Sequence, residues 1–287
     1  MNISQVTVEG FRGLRISTRL KRVNIVVGEN GVGKTSFLES IFLPTLFQSD
    51  LNDNDIRNLL LYMMASRGDT ISAIHTLSSS EIRLDDVTTR LKKVDTHTIR
   101  IEVNNEKVGE IRLKIWTPLT LAVIKTVNSK YFPIYLSTSF DSSGNLEKIY
   151  NIMVRRIGGE SVFELSADEY GRFTLYHDKL PVYVMGRGLL KRELIRLALM
   201  SSNIILIDEI ESSLHPNLVM EVLNDIKREE GVQVIFTTHL NEVVKMAGRV
   251  LNDIDAQVIY LSRTGYKTYR LLEISEFEKP LSWLGYV

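Results

Sequence analysis

The chain has 287 residues, with 35 lysines and arginines, 35 aspartates and glutamates, and no cysteine. Its length allows one large domain or two lobes, and 44% hydrophobic with 24% charged residues is typical of a globular protein. The zero net charge argues neither for nor against a nucleic-acid partner. The lack of cysteine excludes disulfide frameworks, thiolate zinc sites and cysteine nucleophiles.

Apolar runs are short, and none approaches the ~18–20 consecutive residues that a bilayer-spanning helix needs. The first residues do not form a signal peptide pattern, and sustained heptads for a coiled-coil arm are missing. We therefore expect a cytoplasmic protein without membrane insertion.

Three β-strands are predicted over residues 1–27, with a turn at residues 10–13. The third strand, residues 23–27, is a continuous apolar run typical of a buried strand. A helix is predicted over residues 36–42, because its apolar residues share one face. We expect this helix to end near Pro44, since the residue before a proline is disfavoured in the α region.

Between that strand and that helix, residues 28–35 match G-x-x-x-x-G-K-[ST], the phosphate-binding loop. Glycines let successive backbone N–H groups point at an anion, and the helix N-terminus adds a partial positive charge. Lys34 can reach the β- and γ-phosphates, and the Thr35 hydroxyl can ligate Mg²⁺. The residues assigned to nucleotide binding are Gly28, Glu29, Asn30, Gly31, Val32, Gly33, Lys34, Thr35 and Ser36.

The middle of the chain changes to an antiparallel β pattern. A short helix is predicted over residues 56–65, whereas residues 66–80 give no clear pattern. Residues 99–103 and 111–115 alternate apolar and charged side chains, which predicts a hairpin with one buried face. A further strand is predicted over residues 121–127.

The second half alternates strands with helices. A strand is predicted over residues 133–140 and a helix over residues 146–157. A hairpin pairs residues 163–165 with 173–175, and a helix follows Gly186-Arg187-Gly188. The remaining predicted elements are a strand at 204–207, a helix starting at Pro216, a strand at 232–236, and a hairpin of 257–262 with 267–272.

Polar residues follow two of these buried strands. Asp208 can hold Mg²⁺ directly or through water, and Glu209 can polarise an attacking water molecule. His239 follows the strand at 232–236, although a lone histidine there is more typical of a structural hydrogen bond. Because ligands of open α/β sheets bind at the carboxyl ends of strands, we expect these residues to face the phosphate-binding loop.

The segment 208–216, Asp-Glu-Ile-Glu-Ser-Ser-Leu-His-Pro, resembles the Walker B motif and D-loop of ABC-type ATPases, and more narrowly the RecF/SMC and OLD-like branch. The loop at 28–35, the pair Phe11-Arg12 and the segment Thr237-Thr238-His239 are similar to the same branch. The resemblance covers the first 45 residues and about 181–247.

This resemblance implies an α/β fold: a P-loop NTPase of ABC type, with a mixed central sheet flanked by helices, an antiparallel β region and a helical lobe. One domain would span residues 1–287. Its parts would be a Walker A core (1–50), a helical insert with the antiparallel β region (51–130), a second lobe with a signature-like segment (131–200), Walker B, D-loop and switch histidine (201–250), and a C-terminal hairpin and tail (251–287).

The resemblance also implies a homodimer that clamps two ATP molecules head to tail, with Mg²⁺ as cofactor. Glu209 would be the general base, His239 the γ-phosphate sensor and Lys34 a further catalytic residue. Thr35 and Asp208 would ligate the metal, and Arg12 is assigned to nucleotide binding.

Two features depart from the family pattern. In place of Leu-Ser-Gly-Gly-Gln, the chain has Gly186, Arg187 and Gly188 before a helix. Those three residues are assigned to the partner's γ-phosphate, with a plain tight turn as the alternative. No Q-loop glutamine follows the strand at 133–140, and the candidates there are Ser137, Thr138, Ser139 and Asp141.

The function predicted is ATP binding and hydrolysis in DNA repair, DNA maintenance or defence against mobile elements, with DNA or a separate nuclease or helicase chain as partner. One alternative is the nucleotide-binding subunit of a transporter, which the missing Leu-Ser-Gly-Gly-Gln and glutamine disfavour. Another is an ATP-dependent switch with little turnover, which the intact Glu209 disfavours.

Overall fold

The computed structural model describes residues 2–65, 80–95, 98–114, 117–123, 131–138, 146–158, 163–167, 173–177 and 179–275. The strands are β1 (Gln5–Phe11), β2 (Leu14–Arg19), β3 (Val23–Gly28), β4 (Ser80–Leu84), β5 (Val87–Lys93), β6 (Thr98–Val103), β7 (Glu106–Lys114), β8 (Thr117–Val123), β9 (Pro133–Leu136), β10 (Glu164–Ala167), β11 (Phe173–His177), β12 (Leu180–Pro181), β13 (Ile204–Ile207), β14 (Gln233–Thr237), β15 (Ala256–Ser262) and β16 (Gly265–Arg270). The helices are α1 (Lys34–Phe47), α2 (Asp53–Ala65), α3 (Leu146–Arg156), α4 (Arg187–Ser201), α5 (Pro216–Arg228), α6 (Asn241–Val250) and α7 (Leu271–Ser275), with a 3-10 turn at Val182–Val184.

A six-stranded sheet in the order β16-β15-β3-β14-β13-β9 carries the candidate site. All its pairings are parallel except that of β15 with β16. Strands β9, β13 and β14 are buried along their whole length, as expected for parallel strands covered on both faces. The parallel pairings bring the carboxyl ends of β3, β13 and β14 to the same edge of the sheet.

A seven-stranded antiparallel sheet in the order β2-β1-β4-β5-β6-β7-β8 packs beside it. The predicted hairpin is confirmed as β6 and β7, and its turn residues Asn104 and Asn105 have φ values of 49° and 69°. Two left-handed residues are what a two-residue type I′ turn requires. Strand β4 pairs with β1, and β5 pairs with β4. Neither strand was predicted from the sequence. The predicted strand at 121–127 begins earlier, at Thr117, and residues 124–127 lie outside the described residues.

The expected end of α1 near Pro44 is wrong, because the helix continues to Phe47. Pro44 removes one helical N–H, but neighbouring side chains bond to the carbonyls around it. Thr45 Oγ1 donates to the carbonyls of Ile41 (3.0 Å) and Phe42 (2.8 Å), and Gln48 Nε2 donates to the Pro44 carbonyl (3.2 Å). Every residue of the helix except Thr35 is buried, and the helix contacts both sheets, so packing outweighs the local cost of the proline.

A separate three-stranded sheet, in the order β10-β11-β12, contacts α3 and the 3-10 turn. Its predicted hairpin is confirmed, with Leu165 opposite Leu175. The predicted strand at 133–140 is shorter and ends at Leu136, and residues 271 and 272 belong to α7 rather than to the last hairpin. Among the described residues, no helix is both long and apolar enough to cross a bilayer. The division of the chain at residues 50, 130, 200 and 250 stays a prediction.

Candidate nucleotide-binding site

The phosphate-binding loop joins β3 to α1 in a backbone conformation that glycine favours. Gly28, Gly31 and Gly33 have φ values of 150°, 79° and 102°, and α1 begins immediately afterwards. A Cβ atom on Gly28 would lie 2.3 Å from the carbonyl oxygen of Leu261 on β15. No side chain fits there, so packing against β15 by itself requires glycine at position 28.

Lys34 is folded over this loop. Its Nζ donates to the carbonyl oxygens of Gly28 (2.8 Å) and Glu29 (2.9 Å), and the residue is only 6% exposed. Burial lowers the pKa of Lys34 below its usual 10.5, against the opposing effect of nearby carboxylates. Those carboxylates are Glu209, Asp208 and Glu211. The ammonium group therefore lies at the loop, between main-chain oxygens that a phosphate oxygen could replace.

Asp208 follows β13 and links two threonines on neighbouring elements. Thr35 Oγ1 donates to both of its carboxylate oxygens, at 3.1 and 2.9 Å. Thr237 Oγ1 donates to Oδ1 at 2.8 Å, and the Asp208 N–H donates to the Leu136 carbonyl at 2.8 Å. The carboxylate is thus fixed next to the first turn of α1.

The residues present fit Mg²⁺. Within the described ranges, no group of three or more histidine, aspartate or glutamate residues is placed to hold a metal by itself. Mg²⁺ needs no such cage, because it takes one or two protein oxygens and completes its shell with phosphate oxygens and water. The adjacent Thr35 hydroxyl and Asp208 carboxylate supply oxygens of that kind.

Glu209 and His239 meet across the ends of β13 and β14. Glu209 has a left-handed φ of 48°, and its N–H donates to Thr237 Oγ1 at 2.7 Å. His239 Nε2 lies 2.8 Å from Glu209 Oε1, and the His239 N–H donates to Glu211 Oε1 at 2.8 Å. Because a carboxylate only accepts, the Nε2 atom carries the proton in this contact. Both side chains are partly exposed, so a water molecule can reach them.

Comparison with known proteins agrees with this geometry. The RecF/RecN/SMC N-terminal domain matches residues 2–258 of the chain. The chain belongs to this family. It is an ABC-type ATPase domain of the RecF/SMC kind, as the motifs at 28–35 and 208–216 indicated.

Two relatives are DNA replication and repair proteins RecF, from Shewanella sp. (strain W3-18-1) and Shewanella putrefaciens. Each is 28% identical over 116 residues, which cover 36% of this chain and 32% of the relative. The match therefore spans about a third of those proteins. A crystal structure of an SMC head bound to the C-terminal winged-helix domain of ScpA has a TM-score of 0.50 at 13% identity, covering 93% of this chain and 96% of that one.

Arg12 lies beside the phosphate-binding loop. It lines a cleft of about 520 Å³ together with Gly31, Val32 and Ser36. Its Nε is 3.3 Å from Glu39 Oε2, and this glutamate on α1 is fully buried. Arg12 therefore balances the charge of Glu39, and its assignment to nucleotide binding stays a prediction.

The signature-like segment of this family member starts α4. Gly186 is the N-cap residue, and Gly186 and Arg187 are exposed. A Cβ atom on Gly186 would meet nothing within 4 Å, whereas one on Gly188 would lie 2.5 Å from the Ser213 carbonyl oxygen. Glycine is thus required at position 188 for close packing of α4 against the turn after β13. This contact holds the segment against the rest of the chain.

At the place of the missing Q-loop glutamine, Ser137 is committed to a structural contact. It is 1% exposed, and both its N–H and its hydroxyl hydrogen-bond to Tyr62 Oη, at 3.0 and 3.1 Å. Thr138 is half-buried, and Ser139 and Asp141 lie outside the described residues.

Lys191 is a residue near the site that the sequence did not single out. It is 1% exposed, and its Nζ donates to the main-chain carbonyls of Glu209 (2.7 Å) and Ser212 (3.0 Å). The available signal was a lysine within the apolar face of α4, beside Leu190 and Leu194. Helix periodicity cannot tell such a residue from an exposed lysine at the border of the face.

Proposed function

We propose that this domain binds and hydrolyses ATP in a Mg²⁺-dependent reaction. One observation carries the proposal: the Glu209–His239 contact of 2.8 Å lies at the same sheet edge as the Thr35–Asp208 contact and the phosphate-binding loop. Three parallel strands thus bring together the groups to which we assign phosphate binding, metal binding and activation of water.

Binding is assigned to the loop and to Lys34. Backbone N–H groups of residues 28–35 would hold the β- and γ-phosphates at the N-terminus of α1. Lys34 Nζ would exchange the Gly28 and Glu29 carbonyls for phosphate oxygens, gaining charge-assisted hydrogen bonds. Thr35 and Asp208 would hold Mg²⁺, which neutralises charge on the phosphate oxygens when bound.

Hydrolysis is assigned to Glu209 and His239. The Glu209 carboxylate would accept a proton from the attacking water molecule. His239 would donate from Nε2 to a γ-phosphate oxygen in place of its present bond to Glu209, which frees the carboxylate for water. The Glu211 side chain, which accepts from the His239 N–H, would keep the histidine at this edge.

We further propose that two copies of the chain enclose the nucleotide. The N-terminus of α4 presents exposed residues Gly186 and Arg187, and a helix N-terminus with a cation suits a phosphate held by another chain. In such a homodimer each ATP would lie between the loop of one copy and the signature-like segment of the other.

The biological setting is proposed from the relatives named DNA replication and repair protein RecF. On that basis the domain would act in DNA repair or maintenance, or in defence against mobile elements, in the cytoplasm. DNA or a separate nuclease or helicase chain would be its partner.

Steady-state ATP hydrolysis tests the proposal with two variants and a control. Lys34→Ala should weaken ATP binding, and Glu209→Gln should retain binding but lower kcat by about 10²–10⁴-fold, the usual worth of a general base. Glu230→Gln changes an exposed glutamate outside the site and should match the wild type. Chelating Mg²⁺ with EDTA should abolish turnover. If Glu209→Gln hydrolyses ATP as fast as the wild type, the assignment of the base is wrong.

A further inference from the structure

Lys191 carries a buried charge that the phosphate site does not use directly. It lies in the second turn of α4, one turn after Gly188, and only 1% of its surface is exposed. Removing an ammonium group from water is costly unless its hydrogen bonds are replaced. A leucine or methionine would suit the apolar face of α4 without that cost, so the lysine requires an explanation.

The replacement bonds go to the main chain of the turn that follows β13. Lys191 Nζ donates to the carbonyl oxygens of Glu209 and Ser212, at 2.7 and 3.0 Å. These two oxygens belong to residues 209 and 212 of the turn. The Ser212 N–H also donates to the Glu209 carbonyl, at 2.9 Å. One ammonium group thus joins the residue assigned as general base to the residue three positions later.

The turn has strained backbone conformations, which contacts from outside the turn can stabilise. Glu209 and Ser213 both have left-handed φ values, 48° and 65°, although neither is glycine. Such conformations cost about 1–3 kcal/mol each and persist where surrounding structure enforces them. The orientation of the Glu209 carboxylate depends on this backbone, because the φ and ψ angles of Glu209 set the direction in which its side chain projects.

The same turn also contacts the start of α4. Gly188 packs so closely on Ser213 that an added Cβ would lie 2.5 Å from the Ser213 carbonyl oxygen. Gly188 and Lys191 therefore contact the turn from adjacent levels of one helix. The signature-like segment and the backbone of Glu209 are joined within a single chain.

We propose that Lys191 is a positioning residue, which holds the turn at residues 209–213 so that the Glu209 carboxylate is aimed at the attacking water molecule. Through the same helix, it couples the position of Glu209 to the signature-like segment at residues 186–188. The inference rests on the proposed hydrolysis by Glu209 and adds a residue that does not itself contact the nucleotide.

The test compares Lys191→Met with a matched control on the same helix. Arg196→Met removes a cation that is exposed and pairs with Glu193 at 3.4 Å. Lys191→Met should lower kcat by about 10- to 100-fold, as expected for a misplaced catalytic group, with the ATP dissociation constant changed by less than threefold. Arg196→Met should leave both unchanged. A Lys191→Met variant with wild-type kcat would overturn the proposal.

A double-mutant cycle separates positioning from a general loss of structure. Single-turnover hydrolysis is measured for Glu209→Gln alone and combined with Lys191→Met. If Lys191 acts through Glu209, the second substitution should add less than about threefold to the loss, because the two effects are not additive. A full further loss in the double variant would contradict positioning. If Lys191→Met does not fold, Lys191→Gln is judged by the same criteria.

The outcomes also distinguish this proposal from the proposed function. If Glu209→Gln has the rate of the wild type, the assignment of the base fails, and the role of Lys191 fails with it. If Glu209→Gln is slow and Lys191→Met is as fast as the wild type, hydrolysis by Glu209 stands and only the positioning role is lost.

Discussion

The two halves proposed for the nucleotide site differ in how deeply their side chains are buried, since Lys34 and Asp208 are each only 6% exposed. At the phosphate-binding loop, Lys34 bonds to two carbonyls and Asp208 is bonded by Thr35 and Thr237. At the start of α4, Gly186 and Arg187 are exposed. The first half is preorganised by bonds within the chain, whereas the second is presented at the surface, as a contact with another molecule requires.

The halves are joined within the chain by the turn after β13. Lys191 bonds to the Glu209 and Ser212 carbonyls, and Gly188 packs on Ser213. A displacement at the surface segment would therefore reach the residue assigned as the base. Under the proposed function, ATP at one half and a second copy at the other would therefore act on one connected unit.

Two glycine substitutions should show the largest difference between the two halves. Gly28→Ala should lower the free energy of unfolding by about 3 kcal/mol or more, because the added Cβ would lie 2.3 Å from the Leu261 carbonyl oxygen at a φ of 150°. Gly186→Ala is the matched control at the open half, where a Cβ meets nothing within 4 Å. It should change the free energy of unfolding by less than about 1 kcal/mol, because alanine caps a helix less well than glycine but suits the φ of −62° and restricts the unfolded chain. Urea unfolding measures both, and equal losses would remove the contrast between the halves.

A change of pH should have a somewhat smaller effect on the free energy of unfolding, through Lys191, which links the two halves. Burial lowers the pKa of Lys191 from its usual 10.5 to about 8, opposed by Glu211, Asp208 and Glu209 and assisted by Arg187. Between those values the unfolded chain binds the proton and the folded chain does not, so stability rises with pH across this window and is lost as pH falls towards 8. From pH 7 to pH 10 the wild type should therefore gain about 2–3 kcal/mol relative to Lys191→Met.

Urea unfolding of both proteins at the two pH values provides that measurement. The difference between the proteins isolates Lys191, because every other titrating group is common to both. Parallel pH dependences would show that the lysine does not titrate at a lowered pKa.

The phosphate half of the site was predictable from sequence because each of its parts is local. Residues 28–35 form one loop between a buried strand and a helix, and Asp208 and Glu209 directly follow an apolar strand. Parallel pairing of β13 with β14 then brings His239 to Glu209, as the strand-end pattern indicated. The alternating pattern at residues 99–103 and 111–115 also predicted the antiparallel region, to which β6 and β7 belong.

The missed features depend on contacts between distant parts of the chain. Lys191 bonds to residues 18 and 21 positions away, and nothing in the sequence of α4 marks it as buried. The ion pair of Arg12 with Glu39 requires the β1–β2 turn to meet α1. The helix continues past Pro44 because it is packed between the two sheets, a tertiary effect that a local rule for proline does not include.

If ATP completes its site between two copies of this chain, nucleotide binding should produce a dimer. Size-exclusion chromatography with light scattering measures this on Glu209→Gln, which should bind ATP without turnover. The chain has a mass of 32.8 kDa, and we expect that mass without nucleotide and twice that mass with saturating ATP and Mg²⁺. Adding Lys34→Ala to the same protein should abolish the shift. A mass of 32.8 kDa for Glu209→Gln with ATP bound would contradict the two-copy site.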